Sequence, residues 1–201
     1  MAPHRKPTML ILRKLLAPEL GELRAHLLRM DEDDRRLRFG HVVSPQLILD
    51  YVAALRWPQT WVIGAFEDGV LRGVAELRSG KPGSRMGELS LTVERAWQNH
   101  GLGTRLLERA LRIARNRGFR SLFLLCLPEN AKMQHIARKF GDRVSFEDGD
   151  VEVRIETPHA DAQSLFAELL DDSESFWSEA CWQGTRGWER VREEREVRLA
   201  S

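Results

Sequence analysis

A chain of 201 residues is long enough for one domain with its own core, and its 31 basic and 30 acidic residues nearly cancel, so bulk charge points to no particular partner. Its two cysteines, Cys126 and Cys181, are far apart and have no metal spacing, so neither a disulfide framework nor a metal site is expected and a reducing compartment suits the chain. The basic start from Met1 to Pro7 leads into no apolar stretch of signal-peptide length, and no run can span a bilayer, so a cytoplasmic protein without a membrane partner is expected.

Thr8 to Leu15 is apolar-rich and suits a first strand. Pro18 fits the first turn of a helix whose stripe is Leu20, Leu23, Leu27 and Leu28. Met30 to Gly40 has an acidic start and a basic end, which suits a short helix aligned with its own dipole. Ser44-Pro45 reads as an N-cap and first helical residue, opening a helix to about Arg56 with Leu47, Ile48, Tyr51 and Val52 buried. Thr60 to Phe66 and Val70 to Leu77 are strands joined by a hairpin turn at Glu67-Asp68-Gly69. After a loop over Ser79 to Ser84, Gly87 to Val93 is the fourth strand. Phe119 to Leu127 is a continuous apolar run, the pattern of a central strand buried on both faces. Pro128-Glu129-Asn130 starts another helix that ends near Phe140-Gly141. Arg143 to Phe146 and Val151 to Ile155 then form a closing hairpin around Asp148-Gly149-Asp150. Hairpins followed by a crossover helix give a mixed α/β (α+β) sheet in which the fourth and fifth strands are parallel neighbours.

Leu89 to Gly118 organises the rest. An alternating strand feeds a short turn, then Gln98-Asn99-His100-Gly101-Leu102-Gly103, then a helix with Leu106, Leu107, Ala110, Leu111, Ile113 and Ala114 at helical spacing. A glycine-rich turn at a helix N-terminus offers unpaired N–H groups and the positive end of the dipole, a site for phosphate. A dinucleotide fingerprint needs a third glycine where Leu106 stands, and a P-loop needs Gly-Lys-Ser/Thr where Gly103-Thr104-Arg105 stands. A helix start that uses glycine only for a tight turn stays open on the hexapeptide alone. Arg105, Arg109, Arg112, Arg115 and Arg117 on the helix read as a solvated face, or as Arg105 or Arg109 neutralising phosphates. No aromatic residue interleaves them, so nucleic acid is not expected as a partner.

The pattern Gln-x-x-Gly-x-Gly after a strand resembles the acetyl-CoA pyrophosphate loop of the GNAT superfamily of N-acetyltransferases. The resemblance runs from Gly87 to Gly141: Glu88-Leu89-Ser90-Leu91-Thr92-Val93 into Trp97-Gln98, the strand Leu122 to Leu127, and Asn130 with Ala131, Met133, Ala137 and Gly141. A less specific resemblance, carried by the spacing of Glu88 and by Asp31 to Phe39, covers about residues 25–145 and is to bacterial protein-lysine acetyltransferases that modify acyl-CoA synthetases. It implies a GNAT-like, mostly antiparallel sheet of about six or seven strands with a V-shaped splay between strands four and five. The acetyl-CoA-binding domain would span residues 1–157 and a helical extension 158–201.

The resemblance also implies chemistry. Acetyl-CoA is the co-substrate, and the backbone of Gln98, Asn99, His100, Gly101, Leu102, Gly103 and Thr104 cradles its pyrophosphate, with the Thr104 hydroxyl as a further donor. Leu91, Thr92 and Val93 pair with the pantetheine arm, and a bulge there aims an N–H at the thioester carbonyl. Asn130 contacts the pantetheine or nearby phosphate region. Glu88 takes the proton of the attacking amine. Ala137 stands where many members carry a tyrosine acid, His100 and His135 are substitutes, and Tyr51, the one tyrosine, is expected in the core. The acceptor is a primary amine, on a protein lysine or a small molecule, in a pocket from Arg24 to Tyr51 and Arg143 to Ile155. A catalytically silent acyl-CoA sensor is the alternative.

The tail changes character. No Lys or Arg occurs from Ile155 to Thr185; Ala160 to Leu170 is helical in pattern, with Leu165, Phe166, Leu169 and Leu170 on one side; Trp177, Trp182 and Trp188 follow; and Arg186 to Arg198 is dense in Arg and Glu. A helical tail laid over the core, or over a second subunit of a homodimer, is the reading for this segment.

Overall fold

The computed structural model describes residues 10–57, 59–141, 143–147, 149–178 and 180. The expectations for Thr8, Asp148, Cys181 and the Trp- and Arg-rich stretch after it lie outside the described residues. The strands are β1 (Leu10–Lys14), β2 (Thr60–Glu67), β3 (Val70–Ser79), β4 (Met86–Val93), β5 (Ser121–Cys126), β6 (Arg143–Glu147) and β7 (Asp150–Glu156). The helices are α1 (Leu20–Arg29), α2 (Glu32–Phe39), α3 (Pro45–Ala53), α4 (Leu102–Asn116), α5 (Ala131–Ala137) and α6 (residues 162–178).

Local chemistry sets several boundaries. Asp31 caps α2 by accepting from the Asp34 amide at 2.8 Å, and Gly40 closes it with φ at 78°. Ser44 caps α3, with Pro45 at its first position, and the helix stops at Ala53, three residues short of the expected Arg56. Asp68 and Gly69, both at positive φ, turn β2 into β3.

One mixed sheet runs in the order β1-β2-β3-β4-β5-β7-β6, and every pair is antiparallel except β4–β5. The parallel pairing covers only Met86–Leu89 against Ser121–Leu124, while β4 stays paired to β3 as far as Val93 opposite Gly73. Beyond Leu89 the sheet therefore opens between β4 and β5.

Strand alternation divides the core in two. Ile63, Ala75, Leu77, Leu89 and Leu91 face α4, where Leu106, Leu107, Ala110 and Ile113 meet them. Val62, Leu71 and Val74 face Leu23, Leu27, Ile48 and Val52 of α1 and α3. Two expectations fail here. Leu47 is half exposed, because α3 buries only Ile48 and Val52 against α1. The apolar run of β5 is buried on one face only: Leu122, Leu124 and Cys126 are covered, but Leu125 is 53 % exposed. The packing of α1 and α2 is on β3 and β4, leaving that half of β5 uncovered.

Arg105 is exposed, as a solvated face requires, but the other four arginines do something different from both expectations. Arg109 donates to Leu12 O and, at 2.9 Å, to Ser175 Oγ; Arg112 pairs with Asp171, Arg115 with Asp161, and Arg117 with Glu168 at 2.8 Å. They hold α6 on the outside of α4, with Lys14 of β1 also bonded to Glu168 and Asp172. Burial alone pushes the Glu168 carboxyl up, but hydrogen bonds from Lys14 and Asn116 and the charges of Lys14 and Arg117 outweigh it and hold it below the ordinary range. A carboxylate lowered on folding adds stability that is complete above the ordinary value of 4.5 and is lost as pH falls through the lower folded value. Removing it with Glu168→Ala takes away the carboxylate that Lys14, Asn116 and Arg117 share and should cost about 2 kcal/mol at neutral pH. Thermal melting should show a loss of roughly 4–8 °C for a chain of this size. The gap to the unmutated protein should narrow as pH drops below 4.5.

Candidate active site

Between β4 and α4 the chain makes a tight turn at Arg95–Trp97, then places Asn99 (φ 63°) and Gly101 (φ 77°) in the left-handed region. Gly101 is the N-cap of α4, and a side chain there would cost roughly 1–2 kcal/mol. Gly103 is needed for a different reason. A Cβ on it would lie 3.0 Å from Ile136 Cδ1 and 3.2 Å from Leu91 Cδ2, so glycine lets α4 begin hard against β4 and α5. Among the described residues, no main-chain acceptor meets the amides of Asn99 to Thr104; the first that bonds is Arg105, to Gly101 O at 3.1 Å. A cluster of free N–H groups at the positive end of a 15-residue helix is an anion site.

The strand side follows from alternation. Glu94 N–H bonds Arg72 O of β3 at 2.9 Å. Residues two and four back, Thr92 and Ser90, then turn their main-chain groups to β3, and Leu91 and Val93 turn theirs to the side that β5 vacates. The Gln98 side chain bonds Val93 O at 2.9 Å, which leaves Val93 N–H and both main-chain groups of Leu91 along the opening. The bulge expected in β4 is not seen: β4 stays in unbroken register with β3 from Gly87 to Val93, and a register shift falls in β2 at Ala65/Phe66 instead. Ordinary alternation already aims Leu91 N–H into the opening.

A cavity of about 960 Å³ fills this space. Of the strand residues expected there, Leu91, Thr92 and Val93 line it. Of the turn residues, Gln98, Asn99, Gly101, Gly103 and Thr104 line it, and so does Asn130, whose side chain caps α5 by accepting from Met133 N–H at 3.1 Å. His100 is exposed and Leu102 is buried in the α4 core, so the structure places both off the cavity wall. Glu88 stands apart as well. It is paired opposite Phe123 at the closed end of the splay, half exposed, with Arg78 at 3.9 Å. His135 does line the cavity, and Ala137 is fully buried.

The opposite wall comes from within Arg24 to Tyr51, the first segment expected to build the acceptor pocket, while no described residue of the second, Arg143 to Ile155, lines the cavity. Met30, Asp33, Asp34, Leu37 and Arg38 of the α1–α2 region border the cavity. Behind Arg38 lies a buried polar cluster: its Nη2 donates to Tyr51 Oη at 2.6 Å and Glu76 Oε1 at 2.9 Å, and Tyr51 Oη donates to Glu76 Oε2 at 2.7 Å. The Tyr51 ring packs against the α1/α3 side of the core, as expected, while its hydroxyl joins this charged network, and burial followed by the Glu76 charge pushes its phenol up, away from service as an acid. Ser90, directly opposite Glu76 on the sheet, has a buried Oγ without a partner, as has Arg38 at Nε. Beneath the turn, His26 bonds Thr92 Oγ1 at 2.9 Å, and Glu94 holds Arg29, Arg72 and His26. Burial pushes Glu94 up, but the hydrogen bonds from His26, Arg29 and Arg72 prevail and keep it ionised below the ordinary range. Burial also raises the Cys126 thiol to about 11, which makes it inert.

Comparison with known proteins gives a family. The model of the acetyltransferase (GNAT) family matches residues 25–142. Solved structures of similar fold include the GNAT domain of S. lividans PAT, at 21 % identity over 72 % of this chain and 89 % of that one, with a TM-score of 0.60. The yncA putative acetyltransferase of Salmonella typhimurium with its cofactor acetyl-CoA is 17 % identical over 77 % and 97 %, TM-score 0.58. The paia N-acetyltransferase of Thermoplasma acidophilum in complex with coenzyme A is 18 % identical over 74 % and 99 %, TM-score 0.55. The seven-stranded sheet, its single parallel pair and the family match over more than half of the sequence agree, and the chain belongs to the GNAT acetyltransferase family.

Proposed function

We propose that the protein transfers an acetyl group from acetyl-CoA to a primary amine by direct attack. The observation that carries this reading is the opening of the sheet after Leu89, flanked by the unpaired amides of Asn99 to Thr104. Those amides would hold the pyrophosphate, the Thr104 hydroxyl would add a donor, and Asn130 would border the arm on the other side. Val93 and Leu91 would pair with the pantetheine amides as an extra strand does. His100 and Leu102, whose side chains lie off the cavity, would contribute their main-chain amides alone, and Thr92 would steady the strand by its bond to His26. The N-terminal 157 residues would form the acetyl-CoA-binding domain and the remainder its extension.

The first barrier is protonation. A lysine-like amine of pKa about 10.4 costs roughly 4–5 kcal/mol to deprotonate at neutral pH. Glu88 is the proposed acceptor of that proton, through water, since it lies at the closed end of the splay on the same face as Ser90 and Thr92. The freed nitrogen attacks the thioester carbonyl carbon, the Leu91 N–H stabilises the oxyanion, the C–S bond breaks, and the nitrogen sheds its second proton to solvent as the amide forms. The thiolate needs no dedicated acid, because a thiol pKa of about 8.5 makes it a fair leaving group protonated by solvent. An acceptor would enter over the uncovered face of β5, where Phe123 and Leu125 are accessible. The absence of a tyrosine at Ala137 favours, as a second reading, a silent acyl-CoA-binding module.

Melting curves separate these. CoA at one hundred times its Kd should stabilise the protein by about 2.7 kcal/mol, a rise of roughly 5–11 °C. Gly101→Val should abolish most of that rise, and absence of any rise in the unmutated protein would sink the reading. In a coupled thiol-release assay, Glu88→Gln should keep the CoA shift and lose about 100-fold or more in kcat. Full turnover in Glu88→Gln would remove Glu88 from the mechanism, and a CoA shift with no turnover over a panel of amines would select the silent module.

A further inference from the structure

Helix α6 is mounted inside out. Its inward side is polar: Ser164, Glu168 and Ser175 are buried, and Asp171 and Asp172 reach the α4 arginines and Lys14. Its outward side is apolar. Leu165, Phe166, Leu169, Leu170, Phe176 and Trp177 are between 47 and 68 % exposed. Their spacing of four and then seven residues, in adjacent pairs, makes one stripe about 18 Å long. Ser173, the polar residue within it, bonds back to Leu169 O at 2.8 Å and so makes no demand on water. The ion pairs on the other side fix this stripe outward, so it cannot roll into the core.

We infer that the outer face of α6 is a homodimer interface, in which two copies pack their α6 stripes antiparallel about a two-fold axis. At roughly 200 Å² for a large side chain, the exposed fractions amount to about 700 Å² of apolar surface per chain. That exceeds the patch of about 300–600 Å² usual on a monomer and approaches the roughly 800 Å² per partner of a stable interface. The stripe is also self-complementary. An axis near Asp171 sets Leu165 and Phe166 of one copy against Phe176 and Trp177 of the other, with Leu169 and Leu170 between, as an isologous contact requires. The chain beyond Ala180 is a poorer cover: nine of the thirteen residues from Arg186 to Arg198 are charged, and Gly184 and Gly187 precede any apolar spacing that could match.

This inference is independent of acetyl-CoA binding. Sedimentation velocity on the full chain across a concentration series should give twice the chain mass of 23.1 kDa at micromolar protein and a reversible fall to one on dilution. Phe166→Glu and Leu169→Glu should each weaken self-association at least 30-fold, while the conservative Leu169→Met keeps it. Circular dichroism and melting of the variants confirm folding without reference to CoA. A single-chain mass for the unmutated protein throughout the series overturns the proposal, as does a dimer that survives both charged variants. If the protein is monomeric and Leu169→Glu instead makes residues 181–201 newly sensitive to protease, the stripe belongs to the chain's own tail and the dimer is refuted.

Discussion

The controlling constraint is a shortage of main-chain partners along one strand. β4 has neighbours on both sides up to Leu89 and on one side only from Ser90 to Val93. Unpaired peptide groups in a protein interior are costly, so an opening of this kind persists only if water or a ligand satisfies them. The α4 turn adds its own unpaired amides at the same place. A ligand that offers amide groups to the strand and negative charge to the helix start answers both needs together, and an acyl-CoA has this character along its length.

The opening is kept from collapsing by what surrounds it. β4 is fixed to β3 through Val93, and Glu94, just beyond, is clamped by Arg29 and Arg72. β5 is drawn the other way by its ladder with β7 out to Cys126 opposite Val151. Gly103 lets Leu91 and Ile136 approach across the base of α4, so the helix start is seated between the diverging strands. Trp97 ties the turn to β2 by a 2.9 Å bond to Glu67 while Arg72 stacks on its ring. Rigidity of this kind is what a binding turn needs if its amides are to be aimed before the ligand arrives.

What sequence reveals here follows a physical division. The strands, the crossover and the Gly101 turn were readable because apolar periodicity, capping and positive φ are local demands written in local residues. The parallel β4–β5 pair followed from the crossover helix. Orientation was not readable. The stripe of α6 shows a helix but not which way it faces, and α6 turned its acids inward because Arg109, Arg112 and Arg117 on α4 were waiting for them. The β5 run looked buried on both sides, yet α1 and α2 stop at β4. The Arg38–Tyr51–Glu76 cluster joins three segments remote in sequence, so no spacing rule could assemble it. Glu88 was legible as a strand residue on a polar face; its position at the closed end of the opening needed the register.

The most direct measurement is amide NMR of the protein titrated with CoA. Main-chain hydrogen bonds to pyrophosphate should move the N–H resonances of Gly101 to Thr104 strongly downfield, with those of Leu91 and Val93 following as the arm pairs with β4. Titration that leaves these amides in place, or shifts only residues outside the opening, would contradict the assignment of the α4 turn as the phosphate site.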